Sequence, residues 1–190
     1  MNAQAVRSLE REAAEDIFFG QVVLIWARWF LIAAGAIFFL WTARESTQLA
    51  LGVLPIVGLM AMNFYLHGRY FLERPSNVLQ IVTAAALDLA LISAIVVLWH
   101  DARGVGTGLA SPFFVFLYPV LLAFAFVLPR RLTIVYTAAA CTAYTAICLP
   151  DVDSVASAKV LVLRLVTMAA TGALGTFYWR IQRDRRRERA

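Results

Sequence analysis

An aspartate at position 88 sits in the middle of a long apolar run, and no other residue in the chain is so costly to place. Measured back along a helix from Trp99, it lies about 16 Å below the end of that run, near a bilayer midplane. A carboxylate at that depth costs at least ~2.5–3.5 kcal/mol on insertion scales, so it must be neutral, paired or beside water. Two roles fit it: a ligand or proton site, or a protonated, hydrogen-bonded structural group. Arg164 is the natural partner by depth, about 22 Å along its helix from Trp179. It either snorkels outward to phosphate headgroups or bends inward to Asp88. Arg28, flanked by Trp26 and Trp29, reads as an interfacial anchor. Other chemistry is thinly supplied. His67 and His100 are expected on opposite faces of the membrane, where they cannot share a metal, and no Ser-His-Asp set converges at one depth. Cys141 and Cys148 share one helix face about 10 Å apart, beyond the ~7 Å limit for a disulfide, and read as small buried hydrophobes.

The elements that must position these residues are six apolar stretches, over residues 22–41, 49–70, 78–99, 112–128, 132–149 and 160–179. A hydrocarbon core about 30 Å thick needs roughly 20 residues of helix, so each stretch predicts a transmembrane span. The composition agrees: 62% hydrophobic, 15% charged and a mean hydropathy of +0.74, too apolar for a soluble domain. The fold expected is an all-α polytopic bundle, with a polar N-terminal segment over 1–21, a membrane domain over 22–179 and a basic tail over 180–190. Basic residues between spans fall on alternate sides. Twelve lie on the side of the termini, and only Arg44, Arg103 and Lys159 lie opposite. The positive-inside rule therefore predicts both termini in the cytoplasm. The same asymmetry accounts for the net charge of +5 and the pI near 9.7 with no nucleic-acid partner. No small-residue cleavage site follows the first apolar run, which is expected to remain a span.

The connections are short, so no soluble domain is expected between spans. The outer connection 100–109 holds Gly104-Val105-Gly106-Thr107-Gly108 but has neither the preceding strand nor the Lys-Ser/Thr of a phosphate loop. At the start of the fourth stretch Ser111 can cap a helix, Pro112 suits its first turn, and Pro119 would kink it two turns in. With Asp88 nearby, Gly108, Ser111, Pro112 and Phe113 would border a pocket for a flat apolar ligand. Small residues four apart (Ala86, Ala90 and Ala94; Ala139 and Ala143; Ala169 and Ala173), with Gly172 and Gly175, offer ridges for close helix contact in lipid.

The run Asp88…Thr107-Gly108-Leu109-Ala110-Ser111-Pro112-Phe113…Leu128-Pro129-Arg130-Arg131 resembles the membrane input domain of six-span sensor histidine kinases of the RegB-like and PilS-like types. The resemblance extends to Arg28-Trp29 and to the basic exit after Trp179. RegB-like sensors carry Gly-Gly-x-x-Asn-Pro-Phe at this junction. Gly108, Pro112 and Phe113 match it, whereas Thr107 and Ser111 depart. The resemblance implies a sensor in a bacterial-type inner membrane, with quinone as a candidate ligand and no other cofactor. The kinase core of such sensors has no counterpart up to Ala190, so no enzymatic activity is expected of this polypeptide. The alternative is a non-catalytic subunit of a larger membrane assembly. A small transporter has less support, because no inverted repeat is visible. Expected partners are the bilayer, anionic headgroups at the arginine tail, and either a second copy or a larger complex.

The tail from Arg180 to Arg189 contains no Gly or Pro and is expected to continue span six as a helix. Topology is tested by thiol labelling. Cysteines introduced at Ser46, Gly104 and Asp153 should react with an impermeant reagent from outside, and those at Leu72 and Asp184 only after permeabilisation. Inner labelling at position 104 would break the scheme.

Overall fold

Apolar runs of this length can satisfy their backbone in hydrocarbon as α-helices. The computed structural model of the chain describes residues 3–42, 46–72, 74, 76–98 and 108–187, and among them there is no strand. Six α-helices follow one another: α1 (Ala3–Thr42), α2 (Ser46–Phe71), α3 (Val78–Leu98), α4 (Leu117–Ala125), α5 (Arg130–Cys148) and α6 (Val155–Arg187). Two 3-10 turns, Pro112–Phe116 and Leu149–Asp151, precede α4 and follow α5. Among the described residues, four segments are long and apolar enough to cross a membrane: Gly20–Trp41, Val78–Val97, Arg130–Asp151 and Val155–Tyr178. The chain is thus an all-helical, multi-pass membrane protein. Trp99, His100, the glycine run up to Thr107, Arg44 and Arg103 lie outside the described residues.

Local chemistry explains where the helices begin. At α3, Asn77 Oδ1 accepts from the Gln80 N–H at 2.9 Å while Gln80 Oε1 accepts from the Asn77 N–H at 3.1 Å. This reciprocal box satisfies two donors that a helix start leaves free. Ser154 and Ser157 do the same ahead of α6, at 3.2 and 3.0 Å. Helix α1 runs without a break through position 21, so the polar N-terminal segment is helical with the first span. Helix α6 likewise continues past Trp179 to Arg187, as its sequence predicts. Both cysteines are free thiols.

The fourth stretch departs from expectation. Five residues wind as a 3-10 turn before nine residues of α-helix, a length of about 24 Å rather than a full ~30 Å span. Pro119 is the reason. Its ring would clash with the carbonyl of Val115 in a continuous α-helix. The α-helix starts instead at Leu117, which puts Pro119 in the first turn, where a missing donor is harmless. Pro119 therefore sets where α4 begins rather than kinking it. Pro112 opens the 3-10 turn as expected, but Ser111, although at the cap position, makes no side-chain capping bond.

The small residues also pack differently. Ala86, Ala90, Ala139, Ala169 and Ala173 are exposed, whereas Ala84, Ala85, Ala140, Gly172 and Gly175 are buried. A β-carbon on Gly175 would lie 2.5 Å from Ala125 Cβ of α4, and one on Gly172 would collide with Thr137 of α5. These two glycines set how closely α6 approaches its neighbours. Gly175→Val should destabilise the bundle by about 1–3 kcal/mol through overpacking. Ala173→Val, on the exposed face, should be close to neutral. Thermal unfolding in detergent micelles checks the contrast, and equal effects would contradict this packing.

Candidate functional site

Two polar clusters stand out in this apolar bundle. The first is a charged pair between α1 and α3. Arg28 Nη2 donates to Asp88 Oδ1 at 2.7 Å, and the residues are 1% and 0% exposed. Arg28 is therefore not the interfacial anchor its tryptophan neighbours suggested. It lies eight residues into Gly20–Trp41, and Asp88 lies ten into Val78–Val97. At ~1.5 Å per residue their depths are about 12 and 15 Å, which explains how they meet. Asp88 faces the bundle interior because unpaired charge against acyl chains is prohibitive. Arg28 Nε and Nη1, Asp88 Oδ2 and Tyr136 Oη find no hydrogen-bond partner among the described residues.

Polar contacts on the same side of α1 tie it to α2. Gln21 Nε2 donates to the Leu66 carbonyl at 3.1 Å, and Gln21 Oε1 accepts from the Ser76 N–H at 3.0 Å. Asn63 Nδ2 donates to the Ile25 carbonyl at 3.2 Å. Gln21 and Arg28 are seven residues apart, two helical turns along one face. That spacing is visible in the sequence, and Asn63 is a lone amide in an apolar run; both are signals of buried polar contacts readable without the fold. His67 belongs to an aromatic cluster: its ring stacks on Phe71 at 4.6 Å, and its Nδ1 accepts from Trp29 Nε1 at 3.4 Å.

The second cluster holds the turn before the Pro112–Phe116 segment. Asp151 Oδ2 accepts from the backbone N–H groups of Gly108 at 2.6 Å and Leu109 at 2.9 Å. Arg164 Nη1 donates to the Leu109 carbonyl at 2.8 Å and to Tyr144 Oη at 2.6 Å. Its guanidinium carbon lies 3.7 Å over the Phe114 ring. The inward partner of Arg164 is thus this turn, not Asp88, which Arg28 already holds. Gly108 is required here, since a β-carbon would lie 2.8 Å from the Ile147 carbonyl oxygen. Only the folded chain brings Asp151 against residues 42 and 43 positions away.

The five residues expected around one pocket are divided. Asp88 and Arg28 line a space of about 190 Å3 with Pro119, Val120 and Phe124. Phe113 lines another, of about 360 Å3 with its open side included, together with Phe39, Ile56, Ile92 and Phe116. Gly108, Ser111 and Pro112 form the turn that delivers Phe113 and line neither space. Phe38 and Phe113 meet edge to face at 5.1 Å beside the second space.

Breaking the buried pair from one side should be severe. Arg28→Gln and Asp88→Asn are each expected to lose about 3–5 kcal/mol, because each leaves a charge buried and uncompensated. The double replacement Arg28→Met with Asp88→Leu should recover most of that loss. Unfolding in mixed micelles tests this, and a double variant no more stable than the singles would contradict it.

Comparison of the chain with protein-family models, with curated proteins and with solved structures finds no match.

Proposed function

We propose that the chain is a signal-input module of a bacterial-type inner membrane, with six spans and both termini cytoplasmic. It senses a flat, apolar, membrane-soluble ligand such as quinone and passes the event through α6. The observation that carries this reading is the clamp on Leu109: its N–H bonds to Asp151 and its carbonyl to Arg164 of α6. The turn so held leads directly into Phe113, whose ring borders the larger apolar space. A ligand that pushes Phe113 or Phe116 aside therefore pulls on a turn attached to α6. At 33 residues, or about 50 Å, α6 exceeds a ~30 Å core and carries that displacement beyond the bilayer. Only ligands that bind the two arrangements with different affinity transmit anything. The space as it stands is too narrow for a ring, so one enters only as the phenylalanines rotate. Asp88 borders the other space and has no ligand role in this reading.

The six-span part has its own support. Helix α2 is 26 residues long, about 39 Å.

A second reading, a non-catalytic subunit or homodimer, is favoured by the exposed small residues. Ala86 with Ala90 and Ala169 with Ala173 are spaced for close helix contact, yet they face away from this bundle.

The test combines an azidoquinone photoprobe with a spin label at Asp184→Cys. The probe should label peptides containing Phe39, Ile92 or Phe113 and change the label's mobility. In Asp151→Asn the labelling should persist while the mobility change is lost. Labelling confined to α5 and α6, or a tail indifferent to the probe, would reject the sensor. Stoichiometric copurification with another chain would then favour the subunit.

A further inference from the structure

We propose that Arg28 and Asp88 frame a binding site for a hydroxyl group inside the membrane, that of water or of a membrane-soluble alcohol. Their single contact uses Nη2 and Oδ1. It leaves Nε, Nη1 and Oδ2 buried and without a hydrogen-bond partner among the described residues. Both side chains line the narrow space between α1, α3 and α4, whose other walls, among them Leu31, Val120 and Phe124, are apolar. Acyl chains offer neither donors nor acceptors, so partners for these atoms must come from a guest.

The atoms also select the guest's chemistry. The guanidinium presents only N–H donors, and the ionised carboxylate presents only acceptors. A carbonyl oxygen would satisfy Arg28 and leave Asp88 Oδ2 bare. A carboxylate would set like charge beside Asp88, and an ammonium would do so beside Arg28. A hydroxyl accepts from Nε or Nη1 and donates to Oδ2 with one oxygen atom. Tyr136 Oη, also buried and unpartnered, lies within the field of both charges and offers a second such group. Its ring meets Phe124, a wall of the space, edge to face at 5.2 Å.

Size narrows the class further. No water-sized sphere fits between the walls as they stand, so a guest enters only as a side chain such as Leu31 or Phe124 turns aside. A single hydroxyl on a slim carrier meets that condition, and a fused ring does not. The site is separate from the space beside Phe113 and does not depend on a sensory role for the chain.

The experiment uses the full chain in hydrated bilayers with deuterated acyl chains, labelled with 15N-arginine and 13C-aspartate. Arg28 is the arginine resonance dipolar-coupled to an aspartate carboxyl carbon and lost in Asp88→Asn or, where that variant fails to fold, in Arg28→Lys. Magnetisation from water protons should reach this resonance, and the transfer should vanish in D2O. In a second arm, 1-butanol labelled with 13C beside its hydroxyl is added. Loss of the water transfer with a new butanol contact to Arg28 assigns the site to alcohols, whereas unchanged water transfer assigns it to water. No transfer from either source, while the tail arginines respond to water, overturns the proposal. So does the absence of any arginine coupled to Asp88.

Discussion

Hydrocarbon offers no hydrogen bond to any group placed in it, and this constraint bears hardest on Arg28 and Asp88. Each charge alone would cost ~2.5–3.5 kcal/mol or more at mid-depth. Held 2.7 Å apart, they neutralise one another and fix α1 against α3. Much of the bundle's first half follows from keeping that contact aligned. Gln21 and Asn63 bind backbone groups across the α1–α2 boundary, both on the N-terminal side of Arg28 in α1, so α1 has little freedom to rotate. Pro119, Val120 and Phe124 close the space beside the pair from the α4 side. A buried pair of this kind is weak evidence for stability and better evidence for a unique arrangement, because any rotation of α1 strands a charge.

The elements were legible in the sequence for the reason that membranes simplify folding. Length and apolarity alone predict the helices at residues 78–98 and 130–148, and the lack of helix breakers predicts the continuation of α6 to Arg187. Asp88 was legible as buried because its depth leaves no alternative. Its partner was not. Depth along a helix points to Arg164, and the flanking tryptophans set Arg28 aside as an anchor, but the partner depends on which helices are neighbours and how each is rotated, and no periodicity in an apolar helix encodes rotation strongly. Which ridge packs inside this bundle is hidden for the same cause: Ala86 and Ala90 share a face, but nothing local shows that Asp88 claims the opposite one. Asp151 escaped notice because its partners are backbone amides, and backbone amides have no residue type to read.

The outer cluster has a different logic from the inner pair. Asp151 and Arg164 do not touch in a simple salt bridge; the Leu109 peptide stands between them, its N–H toward the carboxylate and its carbonyl toward the guanidinium. Both bonds are charge-assisted, the stronger class, and each charge polarises the peptide in the sense that strengthens the other bond. The turn is therefore held from two helical units at once. Gly108 is the residue that lets the backbone come close enough, with the Ile147 carbonyl occupying the space a side chain would need.

The tight winding of Pro112–Phe116 connects this clamp to the interior. In a 3-10 turn, residues three apart eclipse one another, whereas in an α-helix they would diverge by about 60°. Phe113 and Phe116 accordingly line the same apolar space, opposite Phe39. Phe114, between them, turns away beneath the Arg164 guanidinium and beside Tyr144. A straight α-helix through this segment would offset the two rings by that angle. The clash of Pro119 with the Val115 carbonyl prevents that outcome. One proline thus determines the length of α4, the alignment of the two rings and the contact that Phe114 makes with α6.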